Sequence, residues 1–250
     1  MIEIAFLMIA LDGNDNIIGV FGPVSGLEDP GRPLDPAIVQ LTGLTDADLS
    51  GKIFDDQNIV SILSRASLII AHNCGFDLRF VEQRFRELSG KAWADSCSEI
   101  DWAAYDFDGR GLGHLIMQAG YFSMGHRAEA DVWSLHCLLG QRYQENGPTY
   151  LERLVSAANR QTIRLEATGA PYSLKDELKA RQYRWDAHSK VWWRSMELDE
   201  AEAEKRWLIR SGVTRPTEIT ETATERHRPP HRDIVKVLPW DVPKDEVEPF

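Results

Sequence analysis

The segment Leu68-Ile69-Ile70-Ala71-His72-Asn73-Cys74-Gly75-Phe76-Asp77 constrains the fold of this chain more than any other. Leu68-Ile69-Ile70 is a short apolar run with the character of a buried strand. From about Phe76 to Leu88, the residues Leu78, Val81 and Phe85 recur at helical spacing. A buried strand, a polar turn and a helix form one step of an α/β domain, and a side chain leaving the carboxyl end of such a strand faces a cleft. Asp77 occupies that place. A lone Asp at a helix start is more often an N-cap, so Asp77 needs company to mean more. A second segment, Gly125-His126-Arg127-Ala128-Glu129-Ala130-Asp131, supplies it by opening another helical run through Trp133, Leu135 and Leu138. Residues three or four apart share a helix face, and residues five apart do not. The spacing therefore puts His126 in the entering loop and Asp131 in the first turns, so that the two converge from different directions.

The rest of the chain up to residue 146 has the same alternation. Ile2 to Leu11 is nearly continuous in apolar residues, meets the turn cluster Asp12-Gly13-Asn14-Asp15, and is followed by Ile17-Ile18-Gly19-Val20-Phe21. That pattern predicts a hairpin whose first strand is buried on both faces. Residues 22–50 are rich in Pro, Gly and Asp. Ile59, Ile62 and Leu63 have helical spacing, Trp93 to Ile100 reads as a strand, and His114 to Ala119 as a short helix ending at Gly120. Glu145-Asn146-Gly147-Pro148 marks the expected end of a domain spanning 1–146. A smaller α+β module is expected over 160–212, with strands at Ile163–Leu165, Tyr183–Trp185 and Val191–Arg194. Helices are expected from Leu174 and from Glu200 to Ile209. Residues 213–250 lack periodicity and read as a disordered tail.

The net charge of −11 is uneven. Residues 1–150 carry 10 Lys and Arg against 21 Asp and Glu, residues 151–212 carry 12 against 10, and the tail carries 6 against 8. An acidic body does not suit a long phosphate-gripping surface. It suits a carboxylate site that meets nucleic acid through bound cations. The three cysteines (Cys74, Cys97 and Cys137) have no CxxC pairing and read as reduced thiols. The apolar opening lacks a basic flank and a cleavage site, and no run reaches the ~18–20 residues of a membrane span. The expectation is a cytoplasmic protein with no membrane partner.

Carboxylates with a neighbouring His match the needs of phosphodiester hydrolysis. Two divalent ions about 3.5–4 Å apart can make a nucleophile from water and relieve charge on the leaving oxygen. A His with a pKa of about 6.5 can take the water's proton. Ala-His-Asn-x-x-Phe-Asp after a strand, then His-x-Ala-x-x-Asp opening a helix some fifty residues later, resembles the second and third signatures of the DEDDh 3′–5′ exonucleases. This is the family of the epsilon proofreading subunit of bacterial DNA polymerase III. The resemblance covers residues 1–140, with Ile2-Glu3-Ile4-Ala5 similar to the family's second strand and Leu41-Thr42-Gly43-Leu44-Thr45 similar to its Ile-Thr-Gly-Ile-Thr loop. It implies an RNase H-like α/β fold, a five-stranded mixed sheet flanked by helices. It implies Asp77 and Asp131 as ligands of Mg²⁺ or Mn²⁺, two ions in the intact family site, and His126 as general base. Thr42, Gly43, Leu44, Asn73 and Phe76 would line the substrate pocket. The substrate would be single-stranded or frayed 3′ ends of DNA or RNA, in replication or repair, with a DNA polymerase subunit as a partner.

The family's first signature, Asp-x-Glu on the sheet's central strand, occurs nowhere in this sequence. Glu3 belongs to the following strand and is not a substitute. Two readings remain: an exonuclease domain incomplete at its start, which is the expectation, and a non-catalytic nucleic-acid- or polymerase-binding module on the same fold. The module over 160–212 carries Trp185, Trp192, Trp193 and Trp207 among basic residues. These are expected mainly to form its core, with base stacking as the alternative. Ile234–Trp240 in the tail reads as a weak partner-docking peptide.

Overall fold

The computed structural model describes residues 1–122 and 126–229. The chain is mixed α/β and divides into two compact units, Met1–Arg160 and Gln161–Phe250. The first unit opens with an antiparallel hairpin, β1 (Glu3–Leu11) and β2 (Ile17–Leu27). Asp12 closes its turn, taking the amides of Asn14 and Asn16 at 2.8 and 3.0 Å. Three helices follow, α1 (Pro36–Thr42), α2 (Asp46–Leu49) and α3 (Asp56–Leu63). Each starts at a side-chain N-cap: Asp35, Thr45 (in a capping box with Asp48) and Asp55. Next come β3 (Ile69–Ala71), α4 (Cys74–Arg84) and β4 (Trp93–Asp95), with β3 and β4 parallel. Helices α5 (Leu112–Gln118), α6 (Ala128–Leu139) and α7 (Tyr150–Ala158) complete the unit.

Helix α6 packs on the hairpin, whereas α4 and α7 pack on the parallel pair. Both pairs feed one core: Ile4 and Phe6 of β1 meet Ile69, Leu78, Phe85 and Trp93 there. Yet among the described residues no strand joins them, and the sheet exists as two separate halves. One expectation is corrected here. β1 is not buried on both faces; only Ile4 is buried and its other residues are half-exposed, because α6 is the helix that packs on it and covers its faces only in part.

The domain end expected at Glu145–Pro148 is also corrected. That stretch is a turn bridged by Arg142 and Thr149, and α7 beyond it belongs to the first unit. Turn residues mark a reversal of the chain, not a boundary, when an amphipathic helix with Leu151, Leu154 and Val155 buried follows them.

The second unit runs β5 (Thr162–Thr168), α8 (Lys175–Ala180), β6 (Arg184–Asp186), β7 (Val191–Met196), α9 (Leu198–Arg210) and β8 (Arg215–Glu221). It is a β-α-β-β-α-β unit folded into one antiparallel sheet of order β6-β7-β5-β8. The strand β8 replaces the tail expected from residue 213. Its alternating Thr, Glu and Ile lie beside β5, a pairing that helical periodicity cannot reveal. The proposed docking peptide at 234–240 lies outside the described residues. The expected Trp core is corrected too: Leu165, Ala167, Leu174, Leu178 and Leu208 form it, with Trp192 and Trp207 at its margin. Neighbouring residues of a strand point to opposite faces, so Trp192 and Trp193 cannot both point inward. Trp193 instead carries the Arg164 guanidinium at 3.9 Å, and Trp207 that of Arg181 at 4.2 Å.

Candidate active site

The site is built where two helices start without side-chain N-caps. Asn73 enters α4 in the left-handed conformation (φ 66°), and its amide donates to Asp95 Oδ1 at 2.7 Å. His126 takes the same backbone conformation (φ 66°) just before α6, whose N-cap residue is Arg127. Asn and His are among the side chains that tolerate this region. Each kink turns the chain sharply into a helix and brings its carboxylate, Asp77 or Asp131, into the first turn.

The two motifs lie within electrostatic range of each other. Burial and, after it, the nearby carboxylates of Asp95 and Asp131 push the Asp77 carboxyl up to about 6, against a hydrogen bond from its own amide. Burial likewise raises Asp131, against the His126 amide that donates to it and the His126 imidazole beside it; Glu3 adds repulsion. So His126 and Asp131 converge from loop and helix, and Asp77 lies within reach of the charge of Asp131. Phe76 is 61% exposed and its ring sits 4.9 Å from that of Phe80, forming an aromatic step next to Asp77.

The loop expected to pack on substrate is only partly available. Thr42 ends α1 and bonds the Ile38 carbonyl at 2.8 Å, and Gly43 caps that helix with φ 71°. Leu44 is buried, its side chain part of the structure and not of an open surface. Asp48, just beyond, shares the electrostatic field of Arg127, which sets this loop beside the start of α6.

Two further residues belong to the site and were not singled out from sequence. Asp95 ends β4 level with Ala71, and its oxygens are taken: Oδ1 by the amides of Asn73 and Cys97 (2.7 and 3.0 Å), Oδ2 by the Ser98 hydroxyl (2.8 Å). Its signal was legible, an Asp at the end of a buried strand before the turn-forming Ser96-Cys97-Ser98. His72 contacts the Arg110 carbonyl through Nε2 at 2.6 Å and Ser96 Oγ through Nδ1 at 2.9 Å. A carbonyl only accepts, so Nε2 carries the proton; Nδ1 faces the Ser96 hydroxyl, which also lies 3.2 Å from the Ala71 carbonyl. Burial holds the His72 pKa below its ordinary value, which keeps this neutral arrangement. His72 is therefore a tether for the Arg110 loop.

The donor set suits a divalent cation. Two half-buried carboxylates with raised pKa values carry charge that their surroundings do not neutralise, and hard oxygen donors are what Mg²⁺ and Mn²⁺ take. The set is small, however. Asp95 spends three of its acceptor sites on Asn73, Cys97 and Ser98. Glu3 accepts from Arg127 and from the Ala128 amide. Among the described residues, Asp77 and Asp131 belong to no close group of three ligand atoms.

No protein-family model and no curated protein matches this chain. Among solved structures, exonuclease X in complex with 5′-overhanging duplex DNA is similar, at 16% identity and a TM-score of 0.40. The match covers 63% of this chain and 81% of that one. Among the described residues no helix is long and apolar enough to cross a membrane.

Proposed function

We propose that this chain is a 3′–5′ exonuclease of the DEDDh, epsilon-like type with a weakened metal site, working on frayed or single-stranded 3′ ends in DNA replication or repair. The observation that carries the reading is that Asp77 and Asp131, 54 positions apart, lie near enough for the charge of Asp131 to act on Asp77, with the His126 amide donating to Asp131. A divalent ion held by Asp77 and Asp131 would polarise the scissile phosphate and lower the pKa of bound water. His126, exposed at the mouth, would take the proton of that water. Phe76, with Phe80 behind it, would support the terminal base.

Among the described residues Asp77 and Asp131 belong to no close group of three ligand atoms, which favours a second reading, in which the chain binds 3′ ends or a polymerase subunit without cutting. Two protein ligands hold an ion poorly compared with four, so the expected activity is slow and needs millimolar Mg²⁺ or Mn²⁺.

A single experiment separates the readings. The full chain is incubated with 3′-labelled and 5′-labelled single-stranded DNA, with metal and with EDTA. Slow, metal-dependent release of nucleoside monophosphates from the 3′ end, abolished by Asp77→Asn and by Asp131→Asn, supports the enzyme. Tight binding of 3′ ends with no cleavage at any metal concentration supports the module. Cleavage that survives both substitutions sinks the assignment of the site.

A further inference from the structure

Glu3 reaches across 124 positions of sequence to the start of α6. Its Oε1 accepts from Arg127 Nε and Nη2, each at 3.0 Å, and its Oε2 from the Ala128 amide at 3.2 Å. The Glu3 side chain is 11% exposed, so this is a largely desolvated contact and not a passing surface pair. Arg127 is the N-cap residue of α6 and has no side-chain cap bond of its own. Its carbonyl receives the Asp131 amide at 3.0 Å. The residue that Glu3 grips is thus the one on which the backbone of Asp131 hangs, and His126 is its immediate neighbour.

A second tie runs parallel to the first, because the Ser25 hydroxyl of β2 donates to Glu129 Oε2 at 3.1 Å. Glu3 is by far the stronger tie. It joins a charge-assisted pair to an N-terminal amide that would otherwise lack a partner.

We infer that Glu3 is a positioning residue that serves α6 as an N-cap from another strand. It fixes His126 and Asp131 against the hairpin without touching substrate or metal. The inference rests on the proposed reading of Asp77, His126 and Asp131 as the site. It also accounts for the one acidic residue of β1, which the chemistry of the site leaves unused. Oε1 uses both of its lone pairs on Arg127 and Oε2 one of its two on the Ala128 amide, so the carboxylate is engaged chiefly with α6.

The test compares the full-length chain with Glu3→Ala and Glu3→Gln, with Ser25→Ala as a control for the weaker tie. Two readouts are taken: amide exchange of residues 126–131 in metal-free protein, and Mn²⁺ affinity by titration. Loss of a cap should speed exchange in the first turn of α6 by about 2- to 30-fold. Loss of an outer-shell support should weaken Mn²⁺ binding by about 10- to 100-fold. Glu3→Gln keeps an oxygen that can accept from Arg127 or Ala128, and should lie between wild type and Glu3→Ala in both. Should Glu3→Ala fail to fold, Glu3→Gln carries the comparison alone.

Unchanged exchange at 126–131 in the folded variants overturns the inference. So does a Glu3→Gln that loses Mn²⁺ as fully as Glu3→Ala with α6 exchange intact, the mark of a ligand. If the wild type binds no Mn²⁺, the metal reading fails by itself, and the exchange measurement still decides the role of Glu3.

Discussion

Strands β1 and β5 make opposite use of their sequences. Eight of the nine residues of β1 are apolar, yet only Ile4 is buried. β5 has the sequence Thr-Ile-Arg-Leu-Glu-Ala-Thr and buries Leu165 and Ala167 completely or nearly so, with Arg164 and Glu166 joined in a buried ion pair of 3.0 Å. The difference lies in pairing and cover. β5 has β7 on one side and β8 on the other, whereas β1 has β2 alone. Apolar composition is a capacity for burial, and a strand realises it only where other elements cover its faces; β4, paired with β3 alone among the described residues, is buried throughout. The first unit holds two half-sheets on one core, and the second holds a finished sheet.

The sharpest way to break that comparison is to truncate one apolar residue in each strand. Leu165→Ala removes a wholly buried side chain and should cost about 2–5 kcal/mol in urea unfolding of the full chain. Ile9→Ala, in the half-exposed part of β1, should cost about 1 kcal/mol. Equal losses at the two positions would mean that β1 is covered in solution as thoroughly as β5. A second measurement reads the edges directly. Alternate amides of β1 point away from β2, and these should exchange at least about 100-fold faster than those of β5. Uniform protection along β1 would show that its free edge has found a partner.

Much of this was legible beforehand, and the limits have physical causes. The helix starting at Ala128 and the entry of His126 and Asp131 followed from the rule that residues five apart do not share a face. The hairpin around Asp186 followed from its turn chemistry: Asp186 Oδ1 takes the amides of His188 and Ser189 at 2.9 and 3.1 Å. The helix α4 begins two residues before the expected Phe76, because a left-handed Asn73 can start a helix without any capping side chain. The strand β4 stops at Asp95, where the turn to Ser98 takes over, and does not run on to Ile100. β8 and α7 were missed for one reason: each is defined by what it packs against. The engaged state of Asp95 and Glu3 was also out of reach, since their donors lie in other segments (Asn73; Arg127 and Ala128). Residue types named the candidate ligands, and only the fold could show which carboxylates are already occupied.

A further effect is the most specific to the two sites. Asp77 in the first unit and Glu221 in the second are both carboxyls raised mainly by burial. Glu221 is compensated within its own unit, by the Ser195 hydroxyl at 2.7 Å and the charge of Arg164. Asp77 has no such cationic neighbour and stands near two further carboxylates. A carboxyl whose pKa is higher in the folded state than its model value of 3.8 favours folding when protonated. Its contribution is fully present below about pH 4 and is lost as pH rises through about 6. At pH 8, Asp77→Asn should therefore be more stable than the wild type, by about 1–2 kcal/mol once partial exposure is allowed for, and the gain should vanish by pH 4. Saturating Mn²⁺ should cancel the gain by stabilising the ionised wild type, whereas it should leave Glu221→Gln untouched. Urea midpoints at pH 4 and pH 8, with and without Mn²⁺, measure all of this. An Asp77→Asn protein no more stable than wild type at pH 8 would mean that the site already neutralises its own charge, and the case for a cation there would fall with it.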